Sequence, residues 1–406
     1  MTMNATREVL EAGTAQNRGA PPLFGALAHL WEVGRLTVVL PGGQTWRLGD
    51  ADAGGPEVEW RIQRWNAVPR MLRRGAVGFA EGYIAGDWDT PDLVQLLLAF
   101  AANYDRIGRL TEGNALARAL GRLRHALARN SRAGARRNIM AHYDLGNEFY
   151  ATWLDDSMTY SSALWPDRSL DLTGAQTAKY AALADASDIR PGQTVLEIGC
   201  GWGGFVEYLA RERGVYVTGV TLSPAQAGFA RDRLERAGLS NRTDIRLVDY
   251  RDVEGQFDRI VSVEMFEAVG EAWWPVYFRR LRELLTPGGV AGLQLITIDD
   301  LLFESYRRQA DFIQLHVFPG GMLPSEERLA PVIAGAGLTS TVVRRFGPDY
   351  GRTLRLWLER FDRAWPTLPA GFDTRFQRLW RYYLAYCAAG FESGRTDVIH
   401  LVARAR

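Results

Sequence analysis

From about residue 139 onward, short apolar runs alternate with helical or turn segments, and this alternation constrains the fold more than any other feature of the sequence. The runs lie within residues 194–204, 216–223, 244–250, 258–266 and 288–298. Alternating strands and helices predict a doubly wound, mainly parallel α/β sheet. Ligands of such sheets bind beyond the carboxyl ends of the strands, where the strand order reverses.

The length of 406 residues predicts more than one folded unit. Four segments are expected: a disordered arm (1–20), a smaller amino-terminal α+β domain (21–102), a basic helical linker (103–138) and the α/β domain (139–406). In the first domain, residues 37–48 resemble a hairpin with a Gly-Gly turn, and residues 58–65 an alternating strand. A helix is expected to begin near Pro91, with Thr90 as its N-cap.

Charge and cysteine content exclude several function classes. The net charge of +1 argues against nucleic-acid binding, and two cysteines with five scattered histidines imply no metal site. No signal peptide or membrane-spanning apolar run is recognisable, so we expect a cytoplasmic protein whose membrane contact is peripheral. The arginine-rich segment 103–138 is either a solvated linker helix or a surface for anionic headgroups.

A glycine-rich turn after the first strand of the α/β domain indicates a nucleotide-type cofactor. Gly199, Gly201 and Gly204 satisfy the dinucleotide fingerprint GxGxxG, and glycines allow a ligand to approach the backbone closely. A nicotinamide enzyme usually ends its second strand with an acidic residue. Here that strand ends in Thr221-Leu222-Ser223-Pro224, which favours a methyltransferase over a dehydrogenase.

Six segments, in order along the chain, resemble cyclopropane fatty acid synthases and mycolic acid methyltransferases. They lie at residues 142–165, 195–210, 220–226, 261–270, 318–325 and 346–357. Residues 78–97 also resemble the amino-terminal domain of the longer bacterial phospholipid enzymes, so the first domain (21–102) is expected to face the lipid. The resemblance implies a class I methyltransferase fold, Rossmann-like, that uses S-adenosylmethionine to methylate a cis double bond of a phospholipid acyl chain.

The resemblance also implies a set of cofactor-binding residues. Gly199 and Gly201 would lie against the methionine portion, with Glu197 beside them. Tyr160 and Ser161 match positions that hold the methionine carboxylate. Thr221, Leu222 and Gln226 match positions around the ribose and adenine, and Asp249 and Tyr250 lie near the adenine.

An alkene cannot be activated by removing a proton, so the enzyme must align it with the sulfonium methyl and stabilise the cation that forms. Cyclopropane enzymes bind bicarbonate as the base through a Cys, a Glu, a His and a Tyr. Glu267 and Tyr350 match the Glu and the Tyr, whereas Ser162 and Ile296 occupy the Cys and His positions. A family glycine is replaced by Glu264.

Two interpretations follow: bicarbonate still binds, or Glu264 supplies the carboxylate in its place. We expect the second, with Glu264, Glu267, Tyr350 and Ser162 forming the catalytic group. A carboxylate fixed to the protein chain, here called a tethered base, reaches different protons from a free bicarbonate ion. We therefore expect a methyl- or methylene-branched product in preference to a cyclopropane. Two other functions stay open: a methyltransferase acting on N or O of a small soluble acceptor, and a non-catalytic lipid carrier. A homodimer is possible.

Overall fold

The computed structural model describes residues 22–50, 54–111, 145–368 and 371–405. They form two compact units. The first contains the described residues up to Thr111 together with 373–389, and the second contains the described residues from 145 to 372 and from 390 to 405. The predicted arm (1–20) and most of the predicted linker (103–138) lie outside the described residues, so those boundaries stay predictions.

The first unit has a small mixed sheet flanked by helices. Its elements are α1 Pro22–Leu30, β1 Arg35–Val39, β2 Thr45–Leu48, β3 Glu57–Ile62, α2 Ala67–Ile84, β4 Trp88–Asp89, α3 Leu93–Ala102 and α4 Tyr104–Thr111. The strand order is β2-β1-β3-β4. β1 and β2 pair as the predicted antiparallel hairpin, and β3 confirms the predicted alternating strand, with Val58, Trp60 and Ile62 buried.

Aromatic side chains form a cluster within the core of this unit. The Phe79 ring stacks on Trp88 with centroids 4.2 Å apart, and Trp60 contacts both rings. The Arg378 guanidinium lies over the Tyr83 ring and donates to the carbonyl oxygen of Trp88 at 2.7 Å. Arg378 belongs to α14 (Thr374–Glu392), which therefore contributes to this unit although it lies late in the sequence.

The predicted start of α3 is wrong. Asp92, not Thr90, is the N-cap, because its side chain accepts a hydrogen bond from the backbone N–H of Gln95. Thr90 instead donates to the carbonyl oxygen of Asp92. Both residue types can cap a helix, and the aspartate lies next to the first apolar residue of the helix, Leu93.

The second unit is built on a seven-stranded sheet with the order β10-β11-β9-β8-β5-β6-β7. Its strands are β5 Thr194–Ile198, β6 Tyr216–Thr221, β7 Thr243–Leu247, β8 Phe257–Val263, β9 Leu285–Ile298, β10 Leu338–Arg345 and β11 Thr396–Ala405. Its helices are α5 Asn147–Ala151, α6 Leu172–Ala186, α7 Gly204–Glu212, α8 Pro224–Arg236, α9 Trp274–Leu284, α10 Asp300–Arg308, α11 Phe312–His316, α12 Glu326–Gly335 and α13 Gly347–Ala364.

Across the sheet, the neighbouring strands β7, β6, β5, β8 and β9 pair in parallel. Strand β11 pairs antiparallel with β9 and with β10. Buried side chains on both sheet faces explain why the strands read as apolar runs. The predicted doubly wound, mainly parallel α/β sheet is confirmed. Among the described residues, no helix is long and apolar enough to cross a membrane.

The strand order reverses between β5 and β8, and the glycine turn lies at this point. Gly199, Gly201 and Gly203, which follow β5, all have positive φ angles of +84°, +51° and +82°. Such angles suit glycine, because it has no Cβ. A Cβ on Gly201 would meet no atom within 4 Å, so its backbone faces open space. The turn therefore leaves room for a ligand at the switch point.

The open space beside Gly201 leads to a prediction that can be tested with a matched control variant. Gly201→Val should abolish binding of S-adenosylhomocysteine in calorimetric titration, because the side chain enters space that the ligand needs. Gly192→Val is the control, since Gly192 also has a positive φ (+83°) and open surroundings but precedes β5 at its amino end. Both variants carry similar backbone strain, and equal affinity losses in the two would contradict a ligand at Gly201.

Candidate active site

Two loops and a neighbouring strand meet at the carboxyl edge of the sheet. The glycine turn follows β5, and residue 264 directly follows β8, its parallel neighbour. A Cβ on Gly199 would lie 2.7 Å from Met265 Cγ, so the two loops are in close contact. β9 lies on the other side of β8 and carries Gln294 toward the same edge. The site therefore lies where the topology predicts a ligand.

The Glu264 carboxylate is held by three donors from three parts of the chain. Its Oε1 accepts from the backbone N–H of Ser162 at 2.8 Å and from Gln294 Nε2 at 2.7 Å. Its Oε2 accepts from the Tyr350 hydroxyl at 2.7 Å. Burial raises the pKa of Glu264, while these hydrogen bonds and the charge of Lys179 act in the opposite direction.

The backbone of Glu264 lies in the left-handed region, with φ +48°. Glycine adopts this conformation without strain, whereas a glutamate pays a steric cost there, as for other non-glycine residues. The glycine expected at this position from the family pattern is therefore compatible with the local geometry. Strained backbone of this kind persists where the surroundings enforce it, and it is common at functional sites.

Behind Glu264 lie two polar residues that the sequence did not indicate as site residues, Gln294 and His400. When Glu264 is ionised it only accepts, so Gln294 presents its NH₂ group to it. The Gln294 carbonyl oxygen, 3.0 Å from His400 Nε2, must then accept from that nitrogen. In the sequence, the one indication of a role for Gln294 was its position as a glutamine within the mainly apolar run 288–298. Burial lowers the pKa of His400 to about 3, so the ring is neutral.

Glu267 lies on the same side of the sheet edge. Its Oε1 accepts from the backbone N–H of Ile296 at 2.5 Å, and its buried Oε2 has no partner among the described residues. Burial, and then the charge of Glu264, raise the pKa of Glu267 to about 8. Ser162 joins the group through its backbone, because its hydroxyl donates to the carbonyl oxygen of Ala163 at 2.9 Å.

The Tyr160–Ser161 segment expected around the methionine portion lies close to the glycine turn, since the Tyr160 ring contacts Tyr150, which contacts Trp202 of that turn. The Tyr160 ring packs against Trp153 and Trp357, and the Ser161 hydroxyl accepts from Lys179 Nζ at 2.7 Å. Glu197, in β5, is buried, and its Oε2 has no partner among the described residues. Burial raises the pKa of Glu197 to about 8.

Residues expected around the ribose and adenine lie at or just beyond the carboxyl ends of β6 and β7. Thr221 Oγ1 donates to Gln226 Oε1 at 2.9 Å, and Leu222, between β6 and α8, is half-buried. Asp249 follows β7, and its two oxygens accept from Arg251 at 2.8 and 2.6 Å. Next to it, burial raises the pKa of Tyr250 to about 12. These residues occupy neighbouring strand ends.

The raised pKa of Glu267 predicts a pH-dependent stability difference. The folded state binds the Glu267 proton more tightly than the unfolded state, whose pKa is the ordinary 4.5. The contribution of Glu267 to the stability of the wild-type protein therefore falls as pH rises from 4.5 to about 8, by at most about 1.4 kcal/mol per pH unit. Glu267→Gln should be more stable relative to wild type at about pH 9 than at about pH 5, in urea unfolding.

The control for this measurement is Glu327→Gln, because Glu327 is exposed on α12. Its stability difference from wild type should change little between the two pH values. A difference for Glu267→Gln that is the same at both pH values would show that the Glu267 carboxyl does not titrate differently in the folded state.

Comparison with known proteins identifies the family of the chain. Residues 130–401 match the family model described as mycolic acid cyclopropane synthetase. The chain is 40% identical over 367 residues to a tuberculostearic acid methyltransferase, UfaA1, of Mycobacterium tuberculosis, covering 86% of this chain and 83% of that protein. It is 35% identical over 354 residues to the cyclopropane-fatty-acyl-phospholipid synthase of Escherichia coli K12, covering 86% and 88%.

Among solved structures, mycolic acid cyclopropane synthase CmaA1, complexed with SAH and CTAB, aligns with a TM-score of 0.62 and 30% identity. The alignment covers 66% of this chain and 98% of that one. A coclaurine N-methyltransferase aligns with a TM-score of 0.61 at 20% identity, which shows the shared fold alone. The chain belongs to the mycolic acid cyclopropane synthetase family, and it is an S-adenosylmethionine-dependent methyltransferase of class I fold that acts on lipids.

Proposed function

We propose that the protein methylates a cis double bond of an unsaturated phospholipid acyl chain, and that Glu264 accepts the proton lost from the resulting cation. The observation that carries this proposal is the fixed carboxylate of Glu264, held by Ser162, Gln294 and Tyr350 on a strained backbone. A glutamate is kept there although glycine would suit the backbone, which favours a function for its side chain.

The reaction divides into two steps. The alkene π electrons attack the sulfonium methyl, the C–S bond breaks, and S-adenosylhomocysteine leaves as a neutral thioether. The acyl chain then carries a cation on the carbon next to the one that bears the new methyl group. For a methylene branch, the hydrogen of the methyl-bearing carbon first shifts with its electron pair to the cationic carbon, and the proton is then lost from the methyl group. Glu264 removes a proton, and the electrons of that C–H bond neutralise the cation by forming a double bond or a ring.

Contacts around Glu264 favour a tethered base over bicarbonate. Both carboxylate oxygens already accept hydrogen bonds, and Tyr350, which would otherwise serve bicarbonate, donates to one of them. The Ser162 hydroxyl donates to the carbonyl oxygen of Ala163, so it is not directed at a bicarbonate ion. The Ile296 side chain has no polar group, and its backbone N–H already donates to Glu267. In its ionised form, which becomes populated as pH rises through its pKa of about 8, Glu267 is suited to stabilising the cation, because its buried Oε2 has no partner among the described residues.

For the cofactor, we propose the residues expected from the family pattern. Gly199 and Gly201 would contact the methionine portion, Ser161 and Tyr160 its carboxylate, and Glu197 its amine. Around the nucleoside we propose Thr221, Leu222, Gln226, Asp249 and Tyr250. The open space beside Gly201 and the unpartnered oxygen of Glu197 support this assignment.

The lipid and the product belong to the same proposal. A phospholipid substrate implies peripheral association with the inner face of the membrane, and the Escherichia coli relative is named for fatty-acyl-phospholipid. The Mycobacterium tuberculosis relative is named a methyltransferase, not a cyclopropane synthase. Together with a tethered base, this favours a methyl- or methylene-branched product, with a cyclopropane as the alternative.

Substitution of Glu264 tests its role. Glu264→Gln should reduce methyl transfer by about 100-fold or more, because the amide cannot take up a proton, a role typically worth 10²–10⁴-fold. Its affinity for S-adenosylhomocysteine should stay within about twofold of wild type. Glu264→Gly, which relieves the strain at φ +48° but removes the carboxylate, should be equally inactive. An active Glu264→Gln enzyme would exclude Glu264 as the base.

The substrate and product can be tested together with labelled cofactor. Vesicles of dioleoylphosphatidylglycerol and trideuteromethyl S-adenosylmethionine should yield methylated acyl chains, detected by mass spectrometry. Matched vesicles with saturated chains should yield none, because they lack the nucleophile. A product that retains the whole trideuteromethyl group has lost its proton from a chain carbon.

A product that has lost one deuterium is either methylene-branched or cyclopropanated, and NMR distinguishes the two. A cyclopropane as the main product would refute the branched assignment. Methylation of free small amines or alcohols, without reaction of the vesicles, would refute the lipid alkene substrate and favour the N- or O-methyltransferase alternative.

A further inference from the structure

Lys179 is a buried cation that the proposed reaction does not use. Its side chain, on α6, is completely buried, and it is the one lysine in a chain with 47 arginines. Burying an ammonium is costly unless it is paired and hydrogen-bonded. The carboxylates of Glu264, Asp155 and Glu197 attract it, while burial lowers the pKa of Lys179 to about 8.

The hydrogen bond from Lys179 fixes the orientation of the Ser161 hydroxyl. Lys179 Nζ lies 2.7 Å from Ser161 Oγ, and an ammonium can only donate. The serine oxygen therefore accepts, and its own O–H proton must point to a different acceptor. A compact ammonium fits this enclosed position, whereas a planar guanidinium is larger and has a fixed fork of donors.

The same helix also holds the backbone of this segment. Gln176, one turn before Lys179 on α6, donates to the carbonyl oxygen of Ser161 at 2.8 Å. Ser161 is thus fixed at its carbonyl and at its hydroxyl by side chains of α6. The adjacent strand β5 contributes Glu197, whose buried Oε2 has no partner among the described residues. A directed O–H donor and a free carboxylate oxygen together suit an amino-acid zwitterion.

We propose that Lys179 is a positioning residue for the methionine carboxylate of S-adenosylmethionine: it directs the Ser161 O–H toward that carboxylate and supplies the positive charge beneath it. This proposal rests on the proposed assignment of Ser161 to the carboxylate. Lys179 itself acts through Ser161 and takes no part in the chemical step.

The test compares two ligands that differ only in the carboxylate. S-adenosylhomocysteine carries it, and decarboxylated S-adenosylhomocysteine keeps the amine but lacks it. In Lys179→Met, the affinity for S-adenosylhomocysteine should fall by about tenfold or more, as for loss of a hydrogen bond to a charged group. The affinity for the decarboxylated ligand should stay within about twofold of wild type. Calorimetric titration measures both.

Ser161→Ala removes the directed donor without removing the cation, and it should show the same selective loss. In the double variant, the loss of binding free energy for S-adenosylhomocysteine should be smaller than the sum of the two single losses, because Lys179 acts through Ser161. The proposal would be overturned if Lys179→Met lost affinity equally for both ligands. It would also be overturned if only Ser161→Ala showed the selective loss of affinity for S-adenosylhomocysteine. Lys179→Gln replaces Lys179→Met if thermal unfolding shows that the methionine variant does not fold.

Failure of the underlying assignment gives a different result. If wild-type protein binds the two ligands equally, the carboxylate does not lie at Ser161, and the proposed cofactor residues are wrong independently of Lys179. A wild-type preference for S-adenosylhomocysteine that persists in Lys179→Met would leave the Ser161 assignment standing and exclude Lys179.

Discussion

The hydrogen bonds that hold the Glu264 carboxylate connect the parts of the site. Ser162 comes from the loop before α6, Gln294 from β9 and Tyr350 from the first turn of α13, and all three donate to one side chain beyond β8. Because each donor comes from a different element, the carboxylate position depends on three separate parts of the second unit. The strained backbone of Glu264 is kept by the same contacts.

Buried charge sets the electrostatics of this region. Glu197, Glu264 and Glu267 all have raised pKa values, chiefly through burial, and Lys179 is the positive charge that stabilises the ionised forms of Glu197 and Glu264. Such an environment disfavours isolated charges but strengthens the interaction of a fixed carboxylate with a cation. It therefore suits the proposed chemistry, in which a positive charge moves from the cofactor to the lipid chain.

The sequence predicted the second unit well, because apolar runs and glycine turns are local signals. It also placed Tyr350 and Glu264 in one catalytic group, and the Tyr350 hydroxyl lies 2.7 Å from the Glu264 carboxylate. It did not indicate Gln294 or His400, because polar residues within a buried strand give no local pattern. Nor did it indicate that α14 contributes to the first unit, because that depends on contacts distant in sequence, such as Arg378 with Trp88.

The most direct measurement for a built-in base is the rate of methyl transfer with and without added bicarbonate, in buffer depleted of carbonate. If the Glu264 carboxylate accepts the proton, the two rates are equal for the wild-type protein. A strong requirement for bicarbonate would contradict this account and support the mechanism in which the family borrows its base from solution.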